Sequence, residues 1–378
     1  VKRTIGLGDY LGKPDDKKLN KIKIDATDFD ASTNKLNEER KKLSTKDRVA
    51  YTSHTMFYPF TIDDCFLSSS QNLFPVEYAI KHKNDLLESG QYSGMLCDVF
   101  LESGNKLGTT KSNKQLAGFP FSGGVIDAPV QIFEMPQSNR FDDFIYVAGQ
   151  DPYKQAKSDT PSLGSFYIFK RRVGIRDPYA YRIVASYVSR PSSIDQFCRT
   201  CEVLQKGYGA ICLMENADQM YEQYLNRKSG MPASFFLFAG EAIANKYVKA
   251  GSRQNSKLGL YPTPGNQNLL FSCVVDYCWQ DFVIGYDDST GLDITVKGIE
   301  LIDDIALLDE IIQYKPGLNV DRIIAFGHAL VLARYFDDNN YMPKSKIEEM
   351  NNARKEDAYK HHEIYASAFG SVSIGAFR

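Results

Sequence analysis

The chain has 378 residues, 43% of them hydrophobic, which is enough for one large domain or two smaller ones with a buried core. Its 45 basic and 47 acidic residues give a formal net charge of -2, which excludes a protein that holds DNA through a uniformly basic surface. No run approaches the roughly 18 apolar residues of a membrane helix. The first residues have no signal-peptide core, so we expect a soluble, intracellular protein without a membrane partner.

The N-terminal third of the chain shows little periodicity. Residues 1–50 are rich in Lys and Asp and are predicted to form a charged leader. Residues 51–130 mix aromatic clusters with Gly-rich turns and predict a linker or flanking region without regular architecture of its own. We expect one domain over residues 131–340, followed by a charged tail over residues 341–378.

Apolar runs and helical spacings become regular from residue 141. Short apolar runs that end in turns predict buried strands, and apolar residues three or four apart predict helices. The predicted elements alternate in the second half of this region. In chain order they are strands at 144–148, 165–169 and 181–188, a helix at 194–204, a strand at 210–214, a helix at 217–227, a strand at 234–238, and helices at 266–282 and 320–336.

This order of elements predicts an α/β fold. Three consecutive strands followed by alternating helices and strands are typical of a mixed central sheet flanked by helices. The region before residue 131 would be an irregular N-terminal extension of that fold.

Three carboxylates lie at the ends of predicted elements in this topology. Asp151 follows the first predicted strand, Glu215 follows the fourth, and Asp321 lies in the first turn of the last strong helix, which Asn319 could cap. Groups just beyond the carboxyl ends of neighbouring strands converge on a crevice in open α/β sheets. Hard oxygen ligands favour Mg²⁺ or Mn²⁺, and two such ions about 3.5–4 Å apart can hydrolyse a phosphodiester.

Each of these acids also has a structural explanation. Asp151 precedes Pro152 and could start a turn, Glu215 could cap the next helix, and Asp321 could serve the helix dipole. The joint placement of all three on one topology is what favours a metal site.

The sequence around these acids resembles the C-terminal nuclease domain of large terminase subunits from tailed bacteriophages. The stretches YVAGQDPY at 146–153, AICLMEN at 210–216 and IALLDEIIQYKPGLNVDRIIAFGHAL at 305–330 carry the similarity. In that family one acid follows the first strand, a second follows the fourth core strand, and an Asp opens a late helix. The resemblance covers roughly residues 140–340.

This resemblance implies a ribonuclease H-like endonuclease that cuts concatemeric double-stranded viral DNA during packaging in the host cell cytoplasm. It also implies an ATPase motor, a small terminase subunit and a portal as partners. The motor is absent from this chain, because no Gly-x4-Gly-Lys-Ser/Thr phosphate loop occurs. We therefore expect the sequence to be a piece of a longer protein.

Two clusters of basic residues are candidates for binding DNA phosphates. One occupies the turn between the second and third predicted strands, and the other occupies a loop near Tyr247. Solvated loops are the alternative explanation for both. The candidate residues are Lys170, Arg171, Arg172 and Arg176 in the turn, and Lys246, Lys249, Arg253 and Lys257 in the loop.

Other chemistry has weaker support. Asp159 is a candidate auxiliary ligand or a turn residue, and His328 is a packed side chain or a neighbour of the site. The pair Cys198 and Cys201 has redox spacing but falls within a helical pattern. Alternative functions are a resolvase- or transposase-type ribonuclease H-like nuclease, and a nonenzymatic viral structural or adaptor protein.

Overall fold

A computed structural model of the chain describes residues 29–44, 54–55, 72–89, 94–153, 162–171, 180–217, 219–248, 258–287, 291–315 and 318–341. The strands in these parts are β1 Met95–Leu101, β2 Leu107–Lys111, β3 Val130–Ile132, β4 Tyr146–Asp151, β5 Gly164–Lys170, β6 Arg182–Ser189, β7 Ile211–Met214, β8 Asp281–Asp287 and β9 Leu292–Lys297. The helices are α1 Phe29–Ser44, α2 Val76–Ser89, α3 Ile194–Tyr208, α4 Met220–Lys228, α5 Gly240–Tyr247, α6 Pro264–Trp279, α7 Ile305–Ile312 and α8 Asp321–Asp338.

The centre of the fold is a mixed sheet with the strand order β2-β1-β3-β6-β5-β4-β7. Every neighbouring pair is antiparallel except β4 and β7, which are parallel. Strands β8 and β9 form a separate antiparallel hairpin. The expected α/β class, with a mixed sheet flanked by helices, is confirmed.

The central strands are buried on both faces. In β4, Val147 packs into the core beneath α6, α7 and α8, while Tyr146 and Ala148 pack into the core beneath α3 and α4. Because both faces are covered, these strands read as unbroken apolar runs, which is why the sequence located β4, β5, β6 and β7 to within a few residues.

Helix α8 lies directly on β4 because Gly149 has no side chain. A Cβ atom added at Gly149 would lie 2.0 Å from the carbonyl oxygen of Ala325 and 2.4 Å from the amide nitrogen of Ala329. On the opposite side of α8, a Cβ atom at Gly327 would meet Leu270 of α6 at 3.0 Å. Helix α8 is therefore packed between the sheet and α6.

The sheet begins earlier in the chain than the sequence indicated. Strands β1 and β2 extend it within residues 51–130, where no regular architecture was expected, and α1 forms within the expected charged leader. Six of the seven residues of β1 are apolar, so the strand shows no apolar–polar alternation, and only Cys97 is buried. Tyr341 is the only described residue of the expected C-terminal tail.

Two other predicted elements differ from the structure. The strand expected at 234–238 is replaced by a 3₁₀ turn, Ala233–Phe235, after which Leu237 forms an isolated parallel bridge with Cys212 of β7. The helix expected at 266–282 ends at Trp279, and Phe282 belongs to β8. No helix in the described ranges is long and apolar enough to cross a membrane.

Candidate active site

Asp151 and Glu215 lie side by side where two parallel strands end. Strand β4 ends at Asp151, and its Gln150 is in register with Met214, the last residue of β7. The ladder continues one step further, because the amide of Glu215 donates to the carbonyl oxygen of Gln150 at 2.9 Å. The convergence of these two acids at the carboxyl edge of the sheet is thus set by backbone hydrogen bonds.

Both acids belong to the face of the sheet that α8 covers. Gly149 faces α8, and Asp151 shares this face because side chains alternate along a strand. In β7, Leu213 belongs to the core on the same face, so Glu215 follows it there.

Asp321 opens α8 and reaches the same region. Its side chain is only 7% exposed. One carboxylate oxygen accepts from the Leu163 amide at 2.7 Å and the Asn319 side chain at 2.8 Å, and the other accepts from the Ser162 hydroxyl at 3.1 Å. Burial raises the pKa of Asp321, and these hydrogen bonds oppose that rise. The side chain is fixed in place by donors from two segments, one before β5 and one before α8.

A buried ion pair holds the first turn of α8. Arg322 is 2% exposed, and its Nη1 lies 3.5 Å from the Glu310 carboxylate of α7. Glu310 also accepts from the amide of Ile323 at 2.9 Å, and the Arg322 Nη2 donates to the carbonyl oxygen of Ala117. These contacts fix the position of Asp321 relative to α7.

The three carboxylates open into one cleft of about 500 Å³. Its wall continues from the sheet edge across the start of α8 to α6 and to the segment between α7 and α8. None of the described lining residues is Lys or Arg. The uncharged part of the wall includes Gln267, Asn268, Phe271, Tyr314 and Leu318.

The donor chemistry of this cleft suits a hard divalent cation. Carboxylate oxygens are the preferred ligands of Mg²⁺ and Mn²⁺. Asp321 accepts three hydrogen bonds, and a carboxylate has about four lone-pair sites, so one site remains for a further ligand. Within the described ranges, no three His, Cys, Asp or Glu side chains are close enough to enclose one ion. The acids therefore share a cleft without forming a closed cage.

Sequence reasoning missed several residues of this site. Ser162 and Leu163 donate to Asp321 from the segment before β5, and Asn319, which was expected to cap α8, also bonds the Asp321 side chain. The N-cap residue of α8 is Val320 and not Asn319 as expected. The only local signal was the position of Asn319 two residues before an acid, since the other contacts join distant parts of the chain.

Two residues of the predicted DNA-binding turn are inaccessible. Lys170 has no exposed surface in its side chain and donates to Glu134 at 2.8 Å. Arg171 is 3% exposed and bonds Asp337 at 2.6 Å and the carbonyl oxygen of Phe144 at 2.7 Å. Because both cations are buried and paired inside the protein, the prediction that they contact DNA phosphates is wrong.

The described residues that flank this turn also lie at the far end of the strands from Asp151. Strand β5 is antiparallel to β4, so Lys170 pairs with Tyr146 while Ser165 pairs with Asp151. The end of β5 is therefore about 17 Å along the strands from Asp151. Arg172 and Arg176 lie outside the described residues.

We expect Arg171→Gln to act on stability and not on DNA binding. Loss of the hydrogen bonds to Asp337 and Phe144 should lower the free energy of unfolding by about 2 kcal/mol. The salt dependence of DNA binding should stay unchanged, because the side chain contacts no phosphate. Urea unfolding and salt titrations with labelled duplex would measure both. Lys228→Gln, which removes an exposed pair with Asp195, is the matched control; a flattened salt slope for Arg171→Gln alone would contradict the expectation.

The second predicted basic group is described at one residue only. Lys246 lies 3.5 Å from Asp338, the last residue of α8, and its ammonium also lies over the ring of Tyr335. Because α8 rises 1.5 Å per residue, this pair lies about 25 Å from Asp321. Lys249, Arg253 and Lys257 lie outside the described residues, as does Asp159.

His328 packs beneath the site without lining the cleft. The side chain is 1% exposed, and its Nδ1 lies 2.9 Å from the carbonyl oxygen of Ile324. Its Cβ lies 3.0 Å from the position of a Cβ built on Gly149. Burial lowers the pKa of His328 from 6.5 to about 4. This residue is therefore a neutral packing residue of α8 at neutral pH.

The depressed pKa of His328 predicts a loss of stability in acid. Between pH 6.5 and about pH 4 the unfolded chain binds a proton that the folded protein does not, so stability falls as pH falls. The slope from this residue approaches about 1.4 kcal/mol per pH unit. Urea unfolding across this window should show a shallower decline for His328→Gln, whose side chain does not titrate. Equal slopes in both proteins would rule out this contribution.

Cys198 and Cys201 are reduced core residues. Both thiols are free and buried in α3, and desolvation raises the pKa of each. A thiol with a raised pKa is a poor nucleophile and a poor metal ligand at neutral pH. The structure thus agrees with a packing role for this pair.

Comparisons with known proteins do not identify a family for this chain. No protein-family model matches the chain, and no curated protein is similar to it. The resemblance to terminase nucleases therefore remains a hypothesis, and function must be inferred from the cleft.

Proposed function

We propose that this chain is a metal-dependent DNA endonuclease with a ribonuclease H-like fold, the nuclease part of a large terminase subunit. The strand order supports this fold. Strands β4, β5 and β6 are sequential antiparallel neighbours, and the chain then returns through α3 to place β7 parallel to β4. Asp151 ends the first of these four strands, Glu215 follows the fourth, and Asp321 opens the late helix α8. The acids of the terminase family that the sequence resembles have the same placement.

The observation that carries the proposal is the hydrogen bond that extends the β4–β7 ladder. The bond from Glu215 to Gln150 places two carboxylates next to each other at one sheet edge. Asp321 then enters the same cleft from α8. Carboxylate oxygens are the preferred ligands of Mg²⁺ and Mn²⁺, so three acids lining one cleft favour a divalent-metal site.

In this proposal Asp151, Glu215 and Asp321 hold Mg²⁺ or Mn²⁺. Two such ions supply an activated water and stabilise the leaving oxygen of a phosphodiester. The protein fixes Asp321 through Leu163, Ser162 and Asn319, which limits the movement of that ligand. Cations held there would also neutralise charge on the scissile phosphate.

The substrate and partners follow from the same proposal. Double-stranded concatemeric viral DNA would be cut at packaging, and the ATPase motor, small terminase subunit and portal would deliver it. The site would act in the host cell cytoplasm, where packaging takes place.

Supercoiled plasmid tests the proposed activity. With millimolar Mg²⁺ or Mn²⁺ we expect nicked and then linear DNA, and with EDTA we expect intact plasmid. The high metal concentration is needed because an open set of carboxylates binds hard cations weakly without substrate. Cleavage that persists in EDTA, or no cleavage with either metal, would sink the proposal.

A further inference from the structure

Two aromatic rings form part of the cleft wall beside the carboxylates. Phe271 of α6 and Tyr314, two residues after α7, both line the cleft. Their ring centroids are 4.7 Å apart, at an interplanar angle of 36°. Phe74, which has no exposed surface, packs edge-on against both rings, with centroids at 5.2 and 5.7 Å. Contacts with Phe74 therefore hold both rings in place.

This part of the wall is uncharged and partly exposed. Phe271 and Tyr314 are each partly exposed, and Leu318 is 38% exposed. One turn before Phe271, the exposed amides of Gln267 and Asn268 also line the cleft. Aromatic rings next to amide groups match the chemistry of a nucleobase, which presents a π face and a hydrogen-bonding edge.

The two parts of the cleft suit two parts of a nucleotide. The carboxylates would hold the cations that bind the anionic phosphate. The aromatic wall carries no charge and suits the uncharged base attached to the neighbouring sugar. Small-ligand sites span about 300–1,000 Å³. A cleft of about 500 Å³ therefore has room for a unit of nucleotide size.

We propose that Phe271 and Tyr314 stack an unpaired nucleobase beside the scissile phosphate, so that the site prefers locally unpaired or single-stranded DNA to intact duplex. A base inside a duplex has both faces covered by its neighbours, so a protein ring can stack on it only after it has left the helix. This inference rests on the proposed nuclease function and specifies its substrate.

Three labelled substrates test the preference in Mn²⁺: a duplex, the same duplex with a central unpaired stretch, and the corresponding single strand. We expect kcat/KM for the two unpaired substrates to be at least about 10-fold higher than for the duplex, because stacking on an aromatic ring strengthens the binding of a base by about that factor. Phe271→Leu and Tyr314→Leu, which keep apolar volume but lose the ring, should raise KM about 10-fold on unpaired DNA only.

Control variants separate stacking from folding. Tyr314→Phe keeps the ring and should retain the wild-type preference. Tyr286→Leu changes a ring that is 59% exposed on the β8–β9 hairpin and should have no effect. Thermal unfolding would check that each variant is folded.

A binding readout is independent of cleavage. Single strands with 2-aminopurine at successive positions, mixed with the protein and Ca²⁺, should show quenched fluorescence at one position. That quenching should be lost in Phe271→Leu. With the wild-type protein, an abasic site at the same position should raise KM as much as the Leu substitutions do. With the Leu variants, the abasic site should raise KM little further.

The outcomes distinguish the two proposals. Equal cleavage of duplex and unpaired DNA, with no quenched position and no abasic effect, would overturn the stacking site and leave the nuclease standing. No metal-dependent cleavage of any of the three substrates would overturn the nuclease itself.

Discussion

Asp151→Asn, Glu215→Gln and Asp321→Asn are each expected to lower the rate of metal-dependent DNA cleavage by about 1,000-fold. A bound metal contributes several kcal/mol of transition-state stabilisation, and about 1.4 kcal/mol corresponds to a factor of ten in rate. Each substitution keeps the size of the side chain but removes the charge that holds the cations. Single-turnover cleavage of labelled DNA in Mn²⁺ would measure the loss.

Folding should survive these substitutions, because each replaces a carboxylate with an amide of nearly the same size and shape. Asp321→Asn is the most demanding case, since its carboxylate accepts the Leu163 amide and an amide group can do so through one atom only. Asp293→Asn on the exposed strand β9 is the matched control and should cleave normally. A folded variant of any of the three acids with near-wild-type activity would remove that acid from the site.

Gly149→Ala is expected to lower the free energy of unfolding by about 3 kcal/mol. The added methyl group would lie 2.0 Å from the carbonyl oxygen of Ala325, and backbone atoms cannot rotate out of its way. Helix α8 would have to move off the sheet and would take Asp321 with it. We therefore expect cleavage to fall as well. Urea denaturation, together with cleavage assays under folding conditions, would measure both effects.

Gly285→Ala offers a matched comparison on another strand. There the nearest atom to the added Cβ is the Ile294 side chain at 3.5 Å, an ordinary contact. This variant should be close to wild type in stability and cleavage. If Gly149→Ala were equally mild, α8 would not depend on close packing against β4, and the fixed position of Asp321 would need another cause.

The sequence predicts the centre of the sheet well and its edges poorly. Strands covered on both faces, such as β4 and β5, appear as continuous apolar runs bounded by turns. Strand β1 was missed although six of its seven residues are apolar; it lacks an apolar–polar alternation, and only Cys97 is buried. Phe282 extends an apolar helical pattern past Trp279, although the chain has already turned into β8.

The candidate site is predictable in its acids and not in their surroundings. Asp151 and Glu215 could be brought together from the strand order alone, because parallel neighbours end at the same edge. The bond from Leu163 to Asp321 and the pairing of Phe271 with Tyr314 depend on tertiary packing. The prediction for Lys170 failed because a sequence gives the charge of a side chain but does not show that Glu134 pairs with it inside the protein.

The parallel pairing of β4 with β7 has a consequence for how the protein acquires activity. Asp151 and Glu215 become neighbours only after β5, β6 and α3 have been made and folded, and Asp321 arrives only after α4 to α7 and the β8–β9 hairpin. Contacts between such distant segments form slowly, because bringing them together costs conformational entropy of the long chain between them. A nascent or partly folded chain therefore holds its acids apart, so the proposed cutting activity would appear only once the whole fold is assembled.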